Sequence, residues 1–278
     1  MIEVTDNHAH ANPLKGLGFV EVTKRFMMSG GVAIVFAPLP SWYYSVSVTS
    51  PESYSRIYDI VIKGVQEASA YIKTLAVLGI HPAEVVRLVE AFGARRALEV
   101  AEGAMRKAAR YVAEGLAVGL GEVGRPHYDT SKISLEVCNR ILDVSLELAK
   151  DLDCPIHLHL ERRSHAVKDV VARVRKVGLK PYRVVIHHAE SKIIGESGRL
   201  TPSIPRRGRN LREAFTKRAT FLVESDFIDD PNRPGVVSYP WAIATEVLEM
   251  LSSNLVSKDH IRKVFIDSFE EVYDIKLH

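Results

Sequence analysis

The sequence predicts an α/β fold, a (β/α)8 TIM-like barrel formed as a single domain over residues 1–278. Short β-branched, apolar runs alternate with longer segments of helical periodicity, which is the pattern of a parallel sheet covered by helices. About eight such units fit the length of the chain. The first strand-to-helix turn carries His-Ala-His-Ala instead of a glycine-rich nucleotide loop, so a doubly wound open sheet is the less favoured alternative.

The predicted strands are nearly continuous apolar runs, as expected for strands buried on both faces. In chain order they span 2–7, 32–38, 75–80, 116–122, 155–160, 183–187, 200–203 and 220–225. The predicted helices span 53–73, 82–113, 132–151, 164–176, 241–251 and 257–273, with apolar residues at intervals of three and four. The helix at 82–113 is interrupted near Gly93. The polar stretch 190–217 is predicted as an irregular, functional loop.

Composition favours a soluble, intracellular protein. The apolar fraction is 46% and the charged fraction 26%, with a net charge of +3. This charge permits an anionic substrate but does not indicate a protein that wraps nucleic acid. Cys138 and Cys154 do not form a disulfide framework, which favours a reducing compartment, and we expect a cytoplasmic protein. There is no signal-peptide pattern and no apolar run of about 18 residues, so no membrane partner is expected.

Metal-ligand residue types fall at the carboxyl ends of the predicted strands. These candidates are His8, His10, Glu122, His159, one of His187 and His188, and Asp226. In a parallel barrel these strand ends converge on the face that carries catalytic sites. Because side chains in a strand alternate between faces, His8 and His10 share a face. By the same rule, only one of His187 and His188 is expected to point inward.

Mixed histidine and carboxylate ligation suits one or two divalent ions such as Zn²⁺, Mn²⁺ or Mg²⁺ and leaves positions open for water. Asp226 is the candidate acceptor of a proton from this water, and Glu122 is the candidate bridge between two ions. Each residue also has a structural interpretation. Glu122 fits an ordinary strand-end acid, Asp226 a turn residue, and His81, which precedes Pro82, a helix-entry residue.

The same residues lie in six motifs that follow one another along the chain. The motifs are Thr5-Asp6-Asn7-His8-Ala9-His10, Leu78-Gly79-Ile80-His81-Pro82, Gly119-Leu120-Gly121-Glu122-Val123-Gly124, Cys154-Pro155-Ile156-His157-Leu158-His159, His187-His188 and Leu222-Val223-Glu224-Ser225-Asp226. In their order and approximate spacing, over nearly the whole chain, they resemble the TatD-like metal-dependent hydrolases of the amidohydrolase type. The Gly-Glu-Val-Gly and Glu-Ser-Asp segments are the most specific.

This resemblance implies one or two divalent metals bound by the ligand set given above. It implies hydrolysis of phosphodiester bonds in DNA, or of ester links such as those in aminoacyl-tRNA. His188 is favoured over His187 because a His-x-x-Ser spacing then fits the family. Glu161 stands where the family usually has arginine. A nuclease would therefore need Arg162 or Arg163 to bind the substrate phosphate.

A basic cluster precedes the last predicted strand. Its members are Arg206, Arg207, Arg209, Arg212, Lys217 and Arg218. Because guanidinium groups suit phosphate, we expect Arg206 and Arg207 to bind substrate together with Arg162 and Arg163. The expected partner is a phosphate-bearing small molecule or a nucleic-acid end. A solvated loop and helix face is the alternative interpretation.

Three functions remain open. The first is a TatD-like phosphodiesterase or nuclease. The second is a hydrolase of another ester or amide bond, and the third is a non-catalytic barrel that binds metal or nucleic acid. The complete set of ligand types argues against the third, because a degenerate site would have lost some of them. The sequence does not set the oligomeric state.

Overall fold

The computed structural model describes residues 2–161, 164–233 and 238–277. The strands are β1 (Val4–His10), β2 (Gly31–Phe36), β3 (Lys73–Leu78), β4 (Gly119–Gly124), β5 (Ile156–His159), β6 (Val184–Ile186), β7 (Thr201–Pro205), β8 (Leu222–Glu224) and β9 (Phe227–Ile228). The α-helices are α1 (Gly18–Met28), α2 (Ser53–Ala68), α3 (Pro82–Ala113), α4 (Lys132–Asp151), α5 (Ser164–Val177), α6 (Asn210–Thr216), α7 (Ala242–Ser252), α8 (Lys258–Arg262) and α9 (Ser268–Tyr273). Within these described residues, no helix is long and apolar enough to cross a membrane.

The chain forms two compact units. The first unit contains Met1–Phe36, Lys63–Leu75 and His187–His278. The second contains Ala37–Ile62 and Ala76–Ile186.

In the first unit, β1 is the central strand and every residue in it is buried. It pairs in parallel with β2, where Asp6 lies opposite Ile34, and with β9, where Ala9 lies opposite Phe227. A second parallel pair joins β7 to β8, with Ser203 opposite Leu222. Because β1 carries Asp, Asn and His side chains into the interior, the elements around it must supply polar partners.

In the second unit, β3, β4, β5 and β6 pair in parallel in chain order. Two glycines allow β4 to approach β5 closely. A Cβ at Gly121 would lie 2.7 Å from the carbonyl oxygen of His157, and one at Gly124 would lie 2.2 Å from that of His159. Both glycines also have positive φ angles, which strain other residues. The Gly-Glu-Val-Gly motif therefore brings Glu122 beside the last residues of β5.

Most predicted elements are confirmed within a few residues. Helix α3 has the predicted limits, and Gly93 breaks it with φ 78° and ψ 164°. The prediction of an irregular stretch at 190–217 was only partly right, because β7 and α6 lie within it. The predicted helix at 257–273 contains a π-helical turn, Lys263–Asp267, between α8 and α9.

Helix α1 was not predicted from the sequence, because the group that caps its N-terminus comes from a distant part of the chain. Its N-cap residue is Leu17, whose side chain makes no capping hydrogen bond. Instead, the buried carboxylate of Asp229 accepts hydrogen bonds from the backbone N–H groups of Asn12, Leu17 and Gly18 at 2.8–2.9 Å. Asp229 also donates its own N–H to the carbonyl of His10 at 3.2 Å. This residue therefore ties the loop after β1 to the segment after β9.

We expect Asp229→Ala to destabilise the protein by about 2 kcal/mol or more, because the buried N–H groups of Asn12 and Gly18 and the part-buried N–H of Leu17 lose their acceptor. Urea-induced unfolding measures this loss. The matched control is Asp230→Ala, since Asp230 is partly exposed and, among the described residues, its carboxylate accepts a hydrogen bond from the N–H of Asn232. Equal losses for the two variants would contradict the anchoring role of Asp229.

Candidate metal centres

The first candidate centre lies in the first unit, where β1 meets the residues after β8. The ligand atoms of His8, His10 and Asp226 all lie within 4.8 Å of one another. Nε2 of His10 is 3.7 Å from Oδ1 of Asp226. The N–H of Asp226 donates to the carbonyl of His8 at 2.9 Å, which fixes the turn after β8 against β1. Three predicted ligands, two from β1 and one from the distant turn after β8, are thus neighbours.

Both histidines of the His187-His188 pair approach Asp226. Nε2 of His187 is 3.7 Å from Oδ1, and Nδ1 of His188 is 2.9 Å from Oδ2. The expectation that only one of them points inward is therefore wrong. Strand β6 ends at Ile186 and His188 has φ 54°, so the alternation of side chains in a strand does not extend to this residue. His187 is buried, whereas the side chain of His188 is 31% exposed.

Two carboxylates in this centre have opposite pKa shifts. Burial raises the pKa of Glu224 to about 7, although His8 opposes the rise. Burial also acts to raise the pKa of Asp226, but His187, His10 and His188 outweigh it and hold the pKa well below its usual range. Asp226 is therefore ionised at neutral pH. Glu224 completes another group of ligand atoms within 4.8 Å, with His187 and His188.

The second candidate centre lies in the second unit, at the ends of β4 and β5. The ligand atoms of His81, Glu122 and His159 lie within 4.8 Å of one another. Nε2 of His81 is 3.5 Å from Oε1 of Glu122, and Nδ1 of His159 forms a short contact with the same oxygen. Nδ1 of His127 lies 2.9 Å from Nε2 of His159. The carboxylate of Glu122 is buried, and the imidazoles of His81 and His159 are among its polar contacts.

Sequence reasoning gave too little weight to His81 and did not select His127. The helix-entry role expected for His81 is confirmed, because its Nδ1 accepts the N–H of Ala83 at 3.0 Å. The other ring nitrogen of His81, Nε2, faces Glu122. The side chain of His81 therefore both caps α3 and belongs to the second candidate centre. The signal for His127 was its position three residues after the end of β4.

A pocket of about 590 Å³ adjoins the second centre. Its lining includes His127, Tyr128, Asp129, Leu135, Glu161 and His165. The buried guanidinium of Arg125 holds one wall, donating to Oε2 of Glu161 at 2.9 Å and to Asn139 at 3.2 Å. Arg125 also forms an ion pair with Asp169 on α5. Arg125 therefore joins α4, α5 and the segment after β5.

The arginines predicted to bind substrate have different positions. Arg162 and Arg163 lie outside the described residues. Arg206 pairs with Glu246 of α7 at 3.2 Å, and Arg212 pairs with the same carboxylate at 2.6 Å. Part of the basic cluster is thus used in ion pairs with α7, which accords with the structural interpretation. Arg207, the next residue after Arg206, is exposed.

The donor sets fit a divalent ion. Bonds of about 2.0–2.2 Å from nitrogen and oxygen place the atoms that share one ion within about 4.4 Å of each other. The separation of 3.7 Å between His10 Nε2 and Asp226 Oδ1 lies in this range, as does that of 3.5 Å between His81 and Glu122. Imidazole with carboxylate is a common donor combination for Zn²⁺ and related ions.

Parallel strands with histidine and carboxylate donors at their ends are typical of one class of protein, the barrels of the metal-dependent hydrolases. The family model described as TatD related DNase matches residues 5–274. The chain therefore belongs to the TatD family of metal-dependent hydrolases. An uncharacterized protein of Methanocaldococcus jannaschii is 30% identical over 281 residues, covering 99% of this chain and 97% of the relative.

Solved structures confirm the predicted fold class, an α/β TIM-like barrel. YjjV, a TatD homologue from Escherichia coli, matches with a TM-score of 0.67 and 18% identity over 98% of each chain. A variant of organophosphorus hydrolase from Deinococcus radiodurans matches with a TM-score of 0.64 and 12% identity, covering 98% of this chain and 93% of that one. At such identities the likeness concerns the fold alone.

We expect Arg125→Met to destabilise the protein by about 3 kcal/mol, because Glu161 and Asp169 lose a buried cationic partner. Chemical denaturation measures the change in unfolding free energy. The exposed Arg140, on α4, provides the control variant Arg140→Met, for which a change below about 0.5 kcal/mol is expected. A loss that is no larger for Arg125→Met would show that its ion pairs do not support the pocket wall.

Proposed function

We propose that this protein is a divalent-metal-dependent hydrolase that cleaves phosphodiester bonds. The observation that carries the proposal is the presence of histidine and carboxylate donors at spacings that suit a single ion, at the ends of parallel strands. Membership of the TatD family supports hydrolysis. The proposed ligands are His8, His10 and Asp226 in the first unit, with His187 or His188, and Glu122 and His159 in the second, joined by His81.

A bound divalent ion would polarise the phosphoryl oxygen and lower the pKa of a water molecule. The remaining steps belong to the side chains. The proposed acceptor of a proton from the attacking water is the carboxylate of Asp226, which is ionised at neutral pH. Its Oδ2 lies 2.9 Å from Nδ1 of His188, and the partly exposed imidazole can pass the proton to solvent. Glu122 holds the imidazoles of His81 and His159 in place.

The proposed substrate is a phosphate-bearing small molecule or a nucleic-acid end. The proposed phosphate-binding residues are Arg207, Arg162 and Arg163. Arg206 should contribute less to phosphate binding, because it already pairs with Glu246. We place the protein in the cytoplasm, a proposal that two free, buried cysteines support.

A second candidate is hydrolysis of a carboxylic ester or lactone. The observation that favours it is the lining of the pocket beside His159, which carries Asp129 and Glu161. Carboxylates repel a polyanion such as DNA, although Arg125 partly neutralises Glu161. A neutral ester meets no such repulsion.

We expect Asp226→Ala to lower kcat/KM for bis(4-nitrophenyl) phosphate at least ~100-fold, because it removes both a ligand and the proton acceptor. The assay uses protein stripped with a chelator and reloaded with Zn²⁺, Mn²⁺ or Mg²⁺. Since mixed imidazole and carboxylate ligation suits Zn²⁺ and Mn²⁺ better than Mg²⁺, these two ions should restore more activity than Mg²⁺.

The control for this experiment is Asp230→Ala, which should retain wild-type kcat/KM. Bound metal without turnover of any phosphoester would refute the phosphodiesterase and leave the ester or lactone hydrolase. Wild-type protein that takes up neither Zn²⁺ nor Mn²⁺ would refute metal-dependent hydrolysis altogether.

The pocket carboxylates allow the two substrate classes to be distinguished. We expect Asp129→Asn to raise kcat/KM for short single-stranded DNA by ~2- to 5-fold at low salt, because it removes a repulsive charge, and the gain should vanish at 0.5 M salt. Hydrolysis of an uncharged lactone should not change. The control Glu136→Gln alters an exposed carboxylate on α4 that is not part of the pocket lining. Equal effects of the two variants on DNA would show that the pocket does not receive it.

A further inference from the structure

A short turn in the second unit holds two aromatic rings at the surface beside α3. The turn is a 3-10 helix, Ser41–Tyr44. Its end residues are buried, with Ser41 7% and Tyr44 2% exposed, whereas Trp42 is 39% exposed. Tyr43 is partly exposed, and its ring centroid lies 6.3 Å from that of Trp42. The fixed ends of the turn therefore carry an aromatic surface between them.

Hydrogen bonds on both sides of Trp42 fix the backbone of this turn. The N–H of Ser41 donates to Oε2 of the buried Glu84 on α3 at 3.2 Å. The hydroxyl of Tyr44 accepts the N–H of Leu39 at 3.1 Å. Because the backbone that carries the ring is already ordered, a ligand that stacks on Trp42 has little conformational entropy to overcome.

A cation lies over the ring of Trp42. Cζ of Arg87, on α3, is 4.5 Å from the ring centroid, and Arg87 is exposed. A guanidinium that covers an aromatic ring keeps its N–H groups in its own plane, where they can bind a phosphate. Part of Trp42 remains open to solvent beside this cation. The pair therefore fits a ligand that has both an aromatic ring and a negative charge.

Helix α3 connects this pair to the second candidate centre. The helix is capped by His81, whose Nε2 is 3.5 Å from Oε1 of Glu122. Glu84 and Arg87 follow His81 by three and six residues. These intervals correspond to about 4.5 and 9 Å along the helix axis. Trp42 therefore lies beside the first two turns of the helix that begins at this centre.

We propose that Trp42 and Arg87 form a binding subsite for a nucleotide. The nucleobase stacks on the open part of the indole, and a phosphate of the same nucleotide pairs with the guanidinium of Arg87. The subsite deepens the proposed function, because it identifies the phosphate-bearing substrate as a nucleotide or a nucleic-acid end. This role in substrate binding rests on the proposed function. Nucleotide binding itself does not, because stacking and ion pairing require no metal.

The first experiment uses the tryptophan fluorescence of the metal-free protein. The chain has two tryptophans, Trp42 and Trp241, so the tryptophan emission of the variant Trp241→Phe comes from Trp42 alone. We expect AMP to quench this emission with saturation, because a stacked adenine contacts the indole. Ribose 5-phosphate, which has no base, should not quench it. Absence of saturable quenching by AMP would overturn the inference.

The second experiment compares the AMP affinities of metal-free variants by isothermal titration calorimetry. Trp42→Ala should weaken binding at least ~5-fold, because it removes the stacking ring, whereas Trp42→Phe keeps a ring and should retain most of the affinity. The matched control is Phe92→Ala, which removes another exposed ring on α3 and should bind AMP as wild type does. Equal losses for Trp42→Ala and either of the other two variants would reject stacking on Trp42.

The phosphate contact is tested with Arg87→Met. This variant should weaken AMP binding ~3- to 10-fold at low salt, and the loss should shrink at high salt, because an exposed ion pair is screened. Adenosine, which has no phosphate, should bind it nearly as it binds wild type. The matched control is Arg95→Met, which removes another exposed guanidinium on α3 and should not change either affinity. Equal losses of AMP and adenosine affinity in Arg87→Met would refute the phosphate contact.

Turnover by the metal-loaded protein separates the subsite from the proposed function. With a dinucleotide as substrate, Trp42→Ala should raise KM at least ~5-fold and change kcat little, the result expected when a binding contact away from the reacting atoms is lost. If wild type binds AMP through Trp42 but hydrolyses no dinucleotide, the proposed function fails while the subsite holds. If it hydrolyses the dinucleotide and Trp42→Ala leaves KM unchanged, the subsite is wrong and the proposed function stands.

Discussion

The first unit depends on the burial of a polar strand. Residues Thr5, Asp6, Asn7 and His8 of β1 are at most 1% exposed, so their side chains must find partners inside the protein. The carbonyl of Phe265 accepts from Thr5, Ser203 accepts from Asn7, and the N–H of Ser225 donates to Asp6. These contacts set where β7, the end of β8 and the π-helical turn lie relative to β1.

Buried carboxylates make the first centre receptive to a cation. Burial raises the pKa of Asp6 to about 7 and that of Glu224 to about 7. Asp226, by contrast, stays charged because three imidazoles contact it. A nearby divalent ion would favour the ionised form of all three carboxylates. A bound divalent ion would therefore lower the electrostatic cost of burying these carboxylates in their ionised form.

Strand-end positions of the proposed ligands could be predicted because they depend on local patterns. An apolar run followed by histidine or a carboxylate marks a strand and its end, and parallel strands share the direction of their ends. The second role of His81 could not be predicted, since Pro82 and Ala83 explain it locally. The inward position of both His187 and His188 depends on the left-handed backbone of His188, which apolar periodicity does not encode.

The sequence by itself determined the fold class, most strand and helix limits, and the residue types at the strand ends. These features follow from periodicity, from the glycines of β4 and from capping residues, all of which act over a few positions. Only the tertiary structure decided which partners these residues have. Asp229 caps α1 from 212 positions away, and Tyr273 reaches Asn7 across 266. Such partners depend on packing, because a buried polar group is satisfied by whichever element lies beside it.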